Sequence, residues 1–222
     1  MNPTNTRAAQ IILEKLGHVP ATVHEVMDKA VTLARAFFED RDLPIDPFLF
    51  PNLVRYEAKL LFDSPKYRAV GYLLSVLSNN GLLLIYRHEG TTYRIRVRKA
   101  DEDGEFPTQN LSEGVKEFCR QPNLPLWASG EEDWEQFVCP DLLKLFIIWD
   151  VDEAYGFNGC DLACTRDEFG KLAFADQIPH SATSIQADEE EFDWPEEIED
   201  IDLRPLKKTG SDQGDDDDDE NN

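Results

Sequence analysis

The sequence predicts an α+β fold: an N-terminal helical layer packed on an antiparallel β-sheet, followed by a disordered acidic C-terminal tail. Three observations carry this. Apolar residues recur at helical spacing as far as Leu77, the spacing switches to alternation at Gly81, and from Asp188 onward acids dominate. The expected organisation is one domain over 1–180, helical over 6–80 and sheet-rich over 81–180, with a tail over 181–222.

Thr6 to Leu16 is a helix by composition, with Ile11, Ile12, Leu13 and Leu16 apolar and Gly17 closing it. Thr22 with Glu25 three residues on has the form of a capping box, followed by Val26, Ala30, Leu33, Ala34 and Phe37 at helical spacing as far as Asp40. After a loop from Asp42 to Pro47, Asn52 is expected to cap a third helix running through Phe62, with Leu53, Tyr56, Leu60 and Leu61 on its apolar side. A fourth helix is expected from Tyr67 to Leu77, stopping at Asn79, Asn80 and Gly81.

Leu82–His88 and Thr91–Lys99 then read as two strands flanking Glu89-Gly90, a hairpin signal. In the second strand Tyr93, Ile95 and Val97 alternate with Arg94, Arg96 and Arg98, so one face belongs to the core and the other is a row of guanidinium groups. Asp101 to Gln109 is loop. Leu111 to Cys119 is a short helix capped by Asn110 or Ser112, and the connection after it pins Leu124, Leu126 and Trp127 to the core. The run Leu142 to Asp152 is the centre of the fold. Leu145, Ile147 and Trp149 fall on one face and Phe146, Ile148 and Asp150 on the other, as in a strand covered on both sides until it surfaces near Asp150. Return strands Cys160–Thr165 and Lys171–Asp176, with turns at 154–159 and 167–170, complete a β-meander.

Net charge is −23 over 222 residues, and it is unevenly placed. From Asp188 to Asn222 seventeen Asp or Glu stand against Arg204, Lys207 and Lys208, a charge of −14, which leaves −9 for the other 187 residues. A strongly negative surface disfavours non-specific binding to nucleic acid and anionic membrane and favours basic partners. No apolar run reaches the roughly 18–20 residues that span a bilayer, and Glu14 and Lys15 interrupt the N-terminal segment, so the expected location is cytoplasmic. Cys119, Cys139, Cys160 and Cys164 then read as reduced core residues. Only Cys160 and Cys164 are close in sequence, and no histidine lies near them, so the spacing does not suit zinc. No sequence motif points to a cofactor.

Three features carry candidate chemistry. Asp150-Val151-Asp152 after an apolar strand is a common way to hold Mg²⁺ or Mn²⁺, with Glu89 as a third carboxylate. That outline resembles haloacid-dehalogenase-like phosphatases, sugar-nucleotide glycosyltransferases and Toprim-type nucleases. It departs from the first in lying late in the chain, from the second in lacking alternating strands and helices before it, and from the third because Glu89-Gly90 leads into a strand instead of a helix. An EF-hand reading fails because Tyr155 stands where the loop needs glycine. Arg94, Arg96, Arg98 and Lys99, with Tyr93 nearby, either track a phosphate backbone or acidic partner or form a solvated face against carboxylates; the aspartates of the tail are a third counterpart for them. In the tail, Phe192, Trp194, Ile198, Ile201 and Leu203 sit among acids, the composition of segments that order on a basic, apolar groove.

The leading functional expectation is a non-enzymatic intracellular regulator or adaptor that binds a basic protein partner through this tail, as a mimic of nucleic acid. The alternatives are a metal-dependent phosphoesterase or nuclease using Asp150 and Asp152, and a nucleic-acid binder using the arginine strand.

Overall fold

The computed structural model describes residues 6–77, 81–109, 111–120 and 141–179. By packing, the chain divides into Met1–Ile185 and Gln186–Asn222. The expected connection with Leu124, Leu126 and Trp127, Cys139, the Asn79, Asn80 and Asn110 signals and the tail fall outside the described residues.

Four helices precede the first strands: α1 (Thr6–Leu16), α2 (Val19–Glu39), α3 (Phe50–Asp63) and the single turn α4 (Pro65–Arg68). The strands are β1 (Leu73–Val76), β2 (Leu82–His88), β3 (Thr91–Lys99), β4 (Leu142–Val151), β5 (Phe157–Thr165) and β6 (Leu172–Gln177), with α5 (Glu113–Cys119) between β3 and β4. They form one six-stranded sheet in chain order, β1-β2-β3-β4-β5-β6. The fold is therefore α+β, helices then sheet, as the change of period predicts.

Several local expectations are corrected. α2 begins at Val19 with Pro20 in its first turn, where a missing N–H costs nothing, so Thr22 lies buried inside the helix instead of capping it. Glu25 accepts hydrogen bonds from Lys66 Nζ (3.1 Å) and Tyr67 Oη (3.0 Å), tying α2 to α4. α3 starts at Phe50, where Asp46 Oδ1 accepts from the N–H groups of Phe48 and Leu49, and Asn52 lies within the helix. Its buried row is Phe50, Val54, Ala58 and Phe62; of the predicted apolar side, Leu53 and Leu61 pack partly buried against the core, whereas Tyr56 is 53% and Leu60 44% exposed. No helix runs from Tyr67 to Leu77. Gly71, at φ 91, turns the chain, and Leu73–Val76 joins the sheet edge as β1, antiparallel to β2.

The sheet is antiparallel as predicted except for one parallel pair. β3 and β4 run together with Arg94 opposite Lys144, Arg96 opposite Phe146 and Arg98 opposite Ile148. A parallel pair needs a long crossover, and the stretch carrying α5 supplies it. The β2–β3 hairpin turns through Glu89 (φ 48) and Gly90 (φ 82), the two left-handed positions of a type I′ turn. Glu89 is held there by Lys15 at 3.0 Å.

Two apolar layers result. The main core lies between α1–α3 and the face carrying Leu84, Tyr93, Ile95, Leu145, Ile147, Trp149, Leu162 and Cys164. A smaller one lies on the opposite face, where Phe146 and Ile148 meet Phe106, Val115 and Phe118. Phe106 and Phe118 stand edge-on to Phe146 at 4.9 and 5.1 Å. β4 is thus buried from both sides, as its sequence predicts.

Burial raises the Glu25 carboxyl, but hydrogen bonds from Lys66, Lys29 and Tyr67 outweigh it and hold the group below the usual range. A depressed carboxyl stabilises the fold above its unfolded pKa and loses that contribution as pH falls through its folded value. Glu25→Gln is therefore expected to cost under about 1 kcal/mol of stability at neutral pH for so exposed a network, lowering the melting temperature slightly, and to match wild type in acid. Melting curves across pH check this.

Candidate functional site

The arginine row lies on the sheet face opposite α1–α3. Strand alternation puts Arg94, Arg96 and Arg98 on that face, and the parallel register sets Lys144 beside Arg94. The face is not open. α5 crosses it, Phe118 lies over Arg96 (Cζ 4.5 Å from the ring centre), and all three arginines are half-buried. This corrects the picture of a solvated row, because an amphipathic helix carrying Val115 and Phe118 needs an apolar surface and finds it in Phe146 and Ile148. Lys144 Nζ donates to the carbonyls of Glu117 and Arg120 at 3.1 Å each, at the C-terminal end of α5 where a cation suits the helix dipole. Thr165 Oγ1 donates to the carbonyl of Cys119 at 2.9 Å and fixes the same end to β5.

Tyr93 and Lys99 do not belong to this row. Both alternate onto the helix-side face, where Tyr93 is fully buried. Burial, then the neighbouring arginines, holds Arg96, Arg98 and Lys144 below their ordinary values, with partial compensation from Glu117 for Arg96 and Lys144. Arg94 Nε, Arg96 Nε and Arg98 Nη1 are buried without an acceptor. Among the described residues none of the three arginines forms an ion pair.

Of the carboxylates predicted to act together, Asp150 and Asp152 have different partners and Glu89 lies apart. Asp150 Oδ2 accepts from Asn158 Nδ2 at 2.9 Å, while Asp152 Oδ1 accepts the backbone N–H groups of Ala154 (2.9 Å) and Gly156 (2.7 Å) and so shapes the β4–β5 turn. Glu89 precedes β3 whereas Asp150 lies past its far end, a separation on the order of 30 Å at strand rise. What the fold brings to Asp150 is Asp161, on β5 opposite Ile148, and Asp103 from the loop before α5. These line a cavity of about 290 Å³ with Ile148, Asn158 and Gln177. Sequence reasoning passed over Asp161, though its position between Gly159 and Ala163 on one strand face was a readable signal. Among the described residues no three His, Cys, Asp or Glu side chains are arranged to hold a metal ion.

Burial, then Asp176 and Asp150, pushes the Asp161 carboxyl above its ordinary range. A raised carboxyl costs stability as pH climbs from its unfolded to its folded value, and the cost persists above that. Asp161→Asn is therefore expected to raise the melting temperature at pH 7 and to bring no gain in acid. Equal melting at both pH values contradicts the assignment.

Cys160 and Cys164 are buried on β5 in the main core, and Cys119, the last residue of α5, is buried in the smaller layer. Burial raises all three thiols, which makes them poor nucleophiles. Phe192, Trp194, Ile198, Ile201 and Leu203 lie outside the described residues. No described helix is long and apolar enough to cross a membrane.

Fold and geometry together define an α+β protein with a six-stranded sheet covered on both faces and a half-buried cationic row. No protein-family model matches the chain, no curated protein is similar to it, and no solved structure matches it.

Proposed function

We propose that the chain is a non-enzymatic regulator or adaptor that binds a basic protein partner through its acidic C-terminal segment, occupying a surface that otherwise takes nucleic acid. The observation that carries this reading is the charge partition: −14 of the total −23 falls in the last thirty-five residues. Five large apolar side chains, Phe192, Trp194, Ile198, Ile201 and Leu203, are spaced among those acids. Charge of this density steers a basic partner, and the apolar anchors supply contacts that survive salt. The competing readings have less support. Asp152 is engaged in its own turn and Glu89 lies at the far end of the sheet, while the arginine row lies partly under α5 instead of along an open groove.

The test is binding of a labelled arginine-rich peptide to the full chain and to Phe192→Ala/Trp194→Ala, followed by competition with duplex DNA. The reading expects at least tenfold weaker binding by the variant at physiological salt, and displacement of the DNA from the peptide by the wild-type chain. Equal affinity of the two proteins refutes the anchoring role.

A further inference from the structure

We propose that the row Arg94, Arg96 and Arg98 is a binding site for a small molecule carrying two or more phosphoryl groups. Three half-buried guanidinium groups stand on alternate residues of one strand, about 7 Å apart at strand rise. Lys144 flanks Arg94 on the neighbouring strand, so four cations are gathered on one small area of a chain whose net charge is −23. Like charges brought together and partly desolvated are costly unless an opposite charge joins them. Among the described residues no carboxylate pairs with Arg94, Arg96 or Arg98. Glu117 is the acid on α5 whose field reaches Arg96, and it forms no ion pair with it. Arg120, at the end of α5, is paired elsewhere, with Glu168 through Nε at 2.6 Å. Each of the three row guanidinium groups also buries an N–H without an acceptor, an arrangement native proteins keep only for a reason.

Guanidinium groups bind phosphoryl oxygens in pairs of hydrogen bonds, and their spacing here favours successive charged groups over one isolated anion. The partial cover from Phe118 and α5 favours a compact ligand over a polymer lying along the strand. The site lies in the folded domain and does not depend on the proposed role of the C-terminal segment.

The experiment is thermal melting and calorimetric titration of the full chain with inorganic pyrophosphate, inorganic phosphate and a short single-stranded oligonucleotide, each against chloride at matched ionic strength. Pyrophosphate is expected to raise the melting temperature by roughly 5–10 °C at a hundredfold excess over its dissociation constant, and to bind more tightly than phosphate. Arg94→Gln and Arg98→Gln are expected to weaken binding at least tenfold. Because they relieve like-charge repulsion, they should melt no lower than wild type in ligand-free, low-salt buffer, which a merely structural role does not produce. Arg96→Gln is the less informative variant, since it also removes the stack on Phe118. No pyrophosphate effect beyond chloride, an equal effect in Arg94→Gln and Arg98→Gln, or binding of the oligonucleotide alone overturns the proposal.

Discussion

Trp149→Ala is expected to cost the fold about 3–5 kcal/mol, the range for truncating a fully buried large aromatic side chain. Trp149 is 1% exposed and belongs to the main core, on one of the two central strands. Its strand neighbours are Lys99 on β3 and Cys160 on β5, so the cavity left behind opens between two strand pairings and the helical layer. Neither adjoining strand is free to close over it. A single domain has about 5–15 kcal/mol of stability in all, so this one change removes a large share. Urea denaturation should show a lower midpoint with an unchanged slope. A loss below about 1 kcal/mol contradicts the placement of Trp149.

Phe146→Ala is expected to cost a similar amount, but to act on the other layer. Phe146 is the side chain against which both Phe106 and Phe118 stand, so its ring links the loop before α5 and α5 itself to the sheet. The loop is held from a second direction at Gly170, where a Cβ would come within 2.7 Å of Phe106 Cε1. Without the Phe146 ring, α5 retains Lys144 and Thr165 at its C-terminal end but loses its apolar seat. Hydrogen exchange should therefore collapse first in the amides of residues 113–119, while those of α2 and α3 remain protected. Equal loss of protection in both layers contradicts two separable packing units, and Phe146→Leu should restore most of the difference.

These two residues also mark how far the sequence could be read. Alternation in Thr91–Lys99 and the apolar run of Leu142–Val151 are local signals, as is Glu89-Gly90, and the strands and hairpin formed where they point. Leu73–Val76 carried no such signal. A four-residue run of leucines, serine and valine fits a helix as well as a strand, and only pairing with β2 decides between them. α3 offered apolar residues on two sides, and packing against α2, not periodicity, chose Phe50, Val54, Ala58 and Phe62. The parallel register of β3 with β4 joins segments separated by a crossover, so no window of sequence contains it.

The candidate site was legible to the same degree. Alternation assigns Arg94, Arg96 and Arg98 to one face, but it does not say what covers that face. The clue was elsewhere, in the apolar Val115 and Phe118 of a short helix, which cluster with Phe146 and Ile148 of β4. Asp152 was read from its spacing to Asp150, but the sequence did not show that the N–H groups of Ala154 and Gly156 engage its Oδ1 in the turn. Asp161 comes near Asp150 through the register of β4 with β5, which depends on the turn length.

The proposed function is tested most directly by a salt-series titration of a labelled arginine-rich peptide against the full chain and a truncation ending at Ala187. That cut falls just beyond Ile185, where the first compact unit ends. The account predicts tight, salt-sensitive binding by the full chain and at least a tenfold loss on truncation at an ionic strength of about 0.15 M, where charges more than roughly 8 Å apart are screened. Unchanged binding after truncation contradicts it.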